Sequence, residues 1–206
     1  MLKYFAGVKV GLPLLLREGP ELLREVARVA GRLGTLRIAD LKLADIGDVM
    51  ASSLELVSGL GYDAVIGHAF VGLRGGLDIL ASKASELGVK LILVVSMSHE
   101  GSREFYDKHF TEFLSLAKEV GAWGVVVPAT RPHLIAEARA LLEGSARILS
   151  PGVGTQGASY GTAICYGADY EIVGRSVVRA ADPLEAARRI VEEVRKVMGH
   201  CRGSYA

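Results

Sequence analysis

Asp40, Lys42 and Asp45, ahead of Asp48, interrupt a largely apolar run, ADLKLADIGD at residues 39–48, in a chain whose other strand-like runs are nearly free of charge. Carboxylates on either side of a lysine hold it as the ammonium, because each favours the charged form. A lysine held this way can donate a proton to a developing carbanion, while a neighbouring carboxylate repels a carboxylate on the substrate. Left unpaired inside a protein, such charges cost on the order of several kcal/mol each, so the residues must engage one another or a ligand. The same three charges would also make an ion-pair network tying strand to loop.

The elements that must position them are short runs rich in Val and Ile, each followed by a longer amphipathic segment. The strand candidates are FAGVKVGL (5–12), LRIADLKL (36–43), DAVIGHAF (63–70), KLILVVSM (90–97), WGVVVPA (123–129), ARILSPGV (146–153) and YEIVGRSV (170–177). Helical spacing joins Leu22, Leu23, Val26, Val29 and Leu33, and recurs in LEAARRIVEEVRKVM near the end. Pro20 and Pro183 stand where a first helical turn accepts them, and Gly34 and Gly88 where helices stop. Alternating β and α elements without a linker predict one domain, residues 1–206, around a parallel sheet buried on both faces. The regular spacing points to a (β/α)8 TIM barrel with seven β/α units visible, and a doubly wound sheet is the alternative. On a regular strand Asp40 and Lys42 share a face near the C-terminal end, where barrel active sites form, and Asp45 follows in the loop.

Composition narrows the function. Net charge is +1 with no long block of like charge, which argues against nucleic acid and membrane surfaces and for a small soluble ligand. The apolar start is broken by Lys9, Gly11 and Pro13, so neither a signal peptide nor a membrane span is expected. Cys165 and Cys201 are too few for a disulfide framework and have no metal-type spacing to histidine, which fits a reducing cytoplasm and predicts no metal. The chain has no Asn and one Gln, a depletion that matches heat adaptation, with compositional drift as the bland reading. That Gln156 survives inside a glycine-rich loop marks it as a needed donor and acceptor.

Gly152, Gly154 and Gly157 lie at or after the end of the sixth strand candidate, and Gly174 and Arg175 lie near the end of the last. Barrel proteins often bind phosphate there, with backbone N–H groups and a guanidinium. His68 reads as a core or interface residue, and His99 as support for its loop. Thr130 and Arg131 open a helix, where capping and packing are the expected roles.

Asp-x-Lys-x-x-Asp followed by Ile46 resembles the signature of orotidine 5'-phosphate decarboxylases. VKVGLPLLL with Lys9, MSHEG (97–101), PATRP (128–132), SPGVGTQG (150–157) and IVGRSV (172–177) resemble further segments of that family, in its order. The resemblance implies a cofactor-free enzyme forming uridine 5'-monophosphate from orotidine 5'-monophosphate. Lys42 would protonate the C6 carbanion, and Asp40 would stress the substrate carboxylate and hold Lys42. Asp45 would enter the partner's site in a homodimer. Lys9, Ser98, Pro151, Gln156, Gly174 and Arg175 would bind the substrate: Ser98 at the pyrimidine amide edge, Gly174 and Arg175 at the phosphate, and Gln156 between the two. The family also carries an Asp on a first strand that precedes Val8; a late start, a truncation or a different completion of the fold would each account for its absence. Gly47 and Glu100 replace family prolines, and Val49 a threonine. A metal-dependent hexulose phosphate synthase-like lyase, which shares Asp-x-Lys-x-x-Asp, and a non-catalytic nucleotide-binding relative are the rival readings.

Overall fold

The computed structural model describes residues 4–201. Strands and helices alternate: β1 (Gly7–Gly11), α1 (Leu12–Arg32), β2 (Leu36–Leu43), α2 (Gly47–Gly59), β3 (Ala64–His68), α3 (Asp78–Glu86), β4 (Lys90–Val94), α4 (Phe110–Glu119), β5 (Gly124–Val126), α5 (Pro132–Leu142), β6 (Arg147–Pro151), α6 (Thr162–Cys165), β7 (Tyr170–Ile172), α7 (Arg175–Val178) and α8 (Pro183–Cys201). These described residues form two compact units, one of residues 4–94 with 115–124, the other of 95–114 with 125–201.

In the first unit β1, β2, β3 and β4 lie side by side and parallel. All five residues of β3 are buried, as expected of a strand covered on both faces. Helix α1 bends at Gly19, whose φ of 76° only glycine adopts without strain, and Pro20 then opens the second segment. Its buried face differs from the expected one. Leu23, Ala27 and Ala30 face inward, whereas Leu22, Val29 and Leu33 are exposed. Alanines let the helix approach the sheet closely, and the larger side chains are displaced to its shoulders. Leu23 and Ala27 pack with Val10, Ala39, Val57 and Tyr62, and the Tyr62 hydroxyl donates to the Leu23 carbonyl at 3.0 Å.

In the second unit β6 and β7 are parallel neighbours, and the chain after β5 pairs with β6 through Val127 N–H to the Leu149 carbonyl and Ala129 N–H to that of Pro151. The last strand is shorter than expected. It ends at Ile172, and the sequence from Arg175, read as strand continuation, coils into α7. Helix α8 begins at Pro183, with the Asp182 carboxylate accepting the N–H groups of Leu184 and Glu185, a side-chain cap. The two cysteines are not independent thiols: Cys165 at the end of α6 and Cys201 at the end of α8 form a disulfide with a Cα–Cα distance of 5.6 Å. Thirty-six residues of sequence hid a contact that only the packing of α6 on α8 creates.

Within each unit consecutive strands are neighbours, the order of a (β/α)8 barrel and not the reversing order of a doubly wound sheet. The fold is thus of the (β/α)8 class with seven units. Among the described residues no helix is long and apolar enough to cross a membrane.

Candidate active site

The first unit assembles three of the expected residues around one carboxylate. β1 and β2 pair in register from Gly7 with Leu36 to Gly11 with Asp40. The Asp40 carboxylate accepts from Lys9 Nζ through Oδ2 at 2.7 Å and from Lys42 Nζ through Oδ1 at 2.5 Å. The expected pattern was a lysine between two carboxylates; within one chain it is a carboxylate between two lysines, net positive. Burial pushes the Asp40 carboxyl up, but Lys9 and Lys42 outweigh it and hold its pKa below the ordinary value, so Asp40 is ionised.

Regular strand alternation does not deliver this geometry. Against β3, Ala39 pairs with Val65 and Leu43 with Gly67, so β2 spends four residue steps where β3 spends two. Asp40, Leu41 and Lys42 lie in that irregularity, and Lys42 has φ of 53°, in the left-handed region. A non-glycine residue there costs about 1–3 kcal/mol and persists only where its surroundings enforce it. Bulges of this kind re-aim side chains beside active sites. Leu41 still packs on the core with Ala39, while Asp40 turns away from it to meet the lysines.

His68, at the end of β3, is buried, and its pKa falls to about 4. Burial is the main cause, followed by the Lys42 cation, with Asp40 opposing both. It is therefore a neutral imidazole within electrostatic reach of the Asp40–Lys42 pair, a role that its place in an apolar strand did not disclose. Asp45 stands apart from the cluster. It is exposed in the loop before α2 and accepts the Ile46 N–H at 2.7 Å.

The second unit holds the remaining candidates. Ser98 is partly exposed in the loop after β4, and Pro151 ends β6. The segment Gly152–Gly161 folds on itself: Gly154 N–H donates to the Ala158 carbonyl at 2.8 Å, Gly157 N–H to that of Gly154, and Ala158 N–H to that of Gly152. The Gly154 and Gly157 amides, read from sequence as free for an anion, are thus used within the loop. Gly154 is glycine for space as well as for its φ of 70°, since a Cβ there would lie 2.4 Å from the Tyr160 hydroxyl and 2.6 Å from that of Ser176. Gln156 lies exposed in the same loop. Gly174 caps the start of α7 with open space around it, and Arg175 beside it is exposed. Elsewhere in this unit Arg131 is paired with Asp107, and Arg139 and Arg147 with Asp169.

Two polar groups to which sequence reading gave no part in the site support these loops. Glu171 on β7 accepts the N–H groups of Gly161 and Ala163 at 2.9 and 3.0 Å and fixes the end of the glycine loop. Its pKa is raised, chiefly by burial against the lowering effect of those amides. Arg131, expected to cap and pack, instead buries its guanidinium beneath the Ser98 loop. Nothing in the spacing of residues 96, 99, 107 and 131 announces such a cluster.

The family model described as orotidine 5'-phosphate decarboxylase / HUMPS family matches residues 1–190. The orotidine 5'-phosphate decarboxylase of Aeropyrum pernix is 52% identical over 190 residues, covering 92% of this chain and 77% of that protein. The crystal structure of orotidine 5'-monophosphate decarboxylase from Sulfolobus solfataricus superposes with a TM-score of 0.86 at 40% identity, over 96% of this chain and 90% of that one. That of the Methanocaldococcus jannaschii enzyme complexed with the inhibitor BMP gives 0.82 at 29% identity, over 93% and 87%.

Proposed function

Because the chain belongs to the orotidine 5'-phosphate decarboxylase / HUMPS family, we propose that it is a carboxy-lyase converting orotidine 5'-monophosphate to uridine 5'-monophosphate and carbon dioxide in pyrimidine synthesis. The observation that carries this reading is the Asp40 carboxylate bridging Lys9 and Lys42, with Lys42 held in a left-handed backbone conformation. Lys42 delivers the proton to C6 as the carbon–carbon electron pair is left behind on the ring. Ionised Asp40 faces the departing carboxylate, destabilises the bound substrate relative to the transition state, and keeps Lys42 aimed. Lys9 balances Asp40 and contacts the ribose side of the substrate. Gly174 and Arg175 hold the phosphate, Gln156 links phosphate to base, Ser98 reads the amide edge and Pro151 lines the ring. Energy from the remote phosphate orders the glycine loop and so assists chemistry at the base.

The proposal takes residues 1–206 as one catalytic domain of a heat-adapted, cytoplasmic homodimer. Asp45 serves the partner's site, which its separation from the Asp40 cluster accommodates. Exposed Ile46 and Val49 beside it, with exposed Phe70 in the same unit, supply apolar surface for a second copy.

The decisive experiment follows the loss of orotidine 5'-monophosphate absorbance with the chain in EDTA, beside Lys42→Ala. Turnover in chelator that falls by roughly 10²- to 10⁴-fold or more with Lys42→Ala, the range for a positioned proton donor, supports the reading. Turnover that survives Lys42→Ala overturns it, and activity appearing only with added divalent metal favours the hexulose phosphate synthase-like lyase.

A further inference from the structure

Beneath the loop after β4 lies a polar cluster that takes no part in the chemistry above. Ser96, Ser102 and Arg131 are all buried, and the Asp107 side chain is only 18% exposed. A buried guanidinium is costly unless it is paired and hydrogen-bonded, and here both terminal nitrogens are. Arg131 Nη1 donates to Asp107 at 2.8 Å and Nη2 to the His99 carbonyl at 2.7 Å. The Ser96 and Ser102 hydroxyls donate to Asp107 Oδ1 at 2.8 and 3.1 Å, and Ser102 Oγ accepts the Met97 N–H at 3.0 Å. Asp107 is the hub, since one of its oxygens meets both serines and Arg131.

The pattern of attachment is specific. Residues 96, 97, 99 and 102 are tied to the hub or to a group bound to it, and Ser98 lies between the tied positions. Such a clamp fixes the backbone on both sides of one residue while leaving its hydroxyl and N–H available. Strand pairing reaches only Val95 and Ser96, whose N–H groups donate to the Val126 carbonyl, and residues 97–99 belong to neither helix nor strand.

We propose that Asp107 is a positioning residue for Ser98, acting through Arg131 and Ser102 to set the hydroxyl and amide that read the pyrimidine edge. This rests on the role given to Ser98 in the decarboxylase reading. Asp107 touches no reacting atom, so its contribution passes through Ser98 and disappears when Ser98 has nothing to present.

A double-mutant cycle tests it. The unsubstituted chain, Asp107→Ala, Ser98→Ala and the double variant are compared for kcat/KM on orotidine 5'-monophosphate, for the Kd of uridine 5'-monophosphate, and for Tm. Asp107→Ala is expected to lower kcat/KM roughly tenfold, the scale of coupling between residues in one network, but by less than about twofold when Ser98 is already alanine. The Kd follows the same pattern, whereas the fall in Tm is equal in both backgrounds. Asp107→Asn, which keeps an acceptor for Arg131, restores part of the loss and keeps the cycle readable if the alanine variant does not fold. Equal losses in the two backgrounds, or none in either, overturn the inference and leave the decarboxylase reading standing. Absence of turnover by the unsubstituted chain sinks that reading alone, because the cycle is then decided on uridine 5'-monophosphate binding.

Discussion

At the scale of single residues, the site is governed by one carboxylate and the groups around it. Asp40→Asn leaves Lys9 and Lys42 facing each other without the charge that reconciles them. We expect a stability loss of about 1–3 kcal/mol in denaturant unfolding, below the range for fully buried pairs because both lysines are partly exposed, and a larger proportional loss of turnover. Since the folded pKa of Asp40 is depressed, its contribution is complete above the ordinary carboxyl range and is lost as the solution is acidified through the folded value. His68 acts in a different window. Its pKa of about 4 lies below the ordinary 6.5, so between these values the unfolded chain binds a proton that the folded chain refuses. Stability therefore falls as pH is lowered from about 6.5 toward about 4, and His68→Gln flattens that slope in thermal unfolding; an unchanged slope assigns it to other groups.

At the scale of elements, two departures from expectation have packing causes. Gly47 stands where the related proteins suggested proline, and a Cβ on it would lie 2.6 Å from Ile79 Cβ and 3.0 Å from the Gly75 carbonyl oxygen. Helix α2 thus begins against the chain leading into α3, and only glycine fits. Gly47→Ala is expected to cost about 1–3 kcal/mol by overpacking, and Gly47→Pro more, both readable as a drop in denaturation midpoint without a change in slope. The disulfide is the second departure. It joins α6 to α8 across 36 residues that include β7 and the Gly174–Arg175 segment. A closure of that length restricts the unfolded chain enough to stabilise by about 4 kcal/mol in the entropic account. Reduction, or Cys165→Ser, should lower Tm accordingly in calorimetry, and a Tm indifferent to reductant would show that the helices hold the segment unaided.

For the molecule as a whole, the proposed homodimer makes its own prediction. If Asp45 completes the partner's site, a heterodimer of Lys42→Ala with Asp45→Asn contains one doubly defective site and one intact one. Mixing the two inactive proteins under subunit exchange should restore about a quarter of the normal activity, since about half of the dimers are then mixed and each has one working site. Mixtures that stay inactive despite proven exchange would place Asp45 in its own chain's site or outside catalysis.

The sequence by itself determined the class of fold, the strand candidates, the helix stops at Gly34 and Gly88, and the charged motif, because periodicity, turn chemistry and charge in an apolar run are local properties. The family, too, was legible in several short segments kept in one order. The tertiary structure decided the rest. That Asp40 is shared by Lys9 and Lys42 depends on pairing between strands 31 residues apart in sequence, and the aim of Lys42 on a bulge that alternation cannot foresee. Arg131 and Asp107 meet across 24 residues, and Cys165 and Cys201 across 36. Contacts at such separations arise from the packing of elements on one another, so no window of sequence contains both partners, and what each partner does can be read only where they meet.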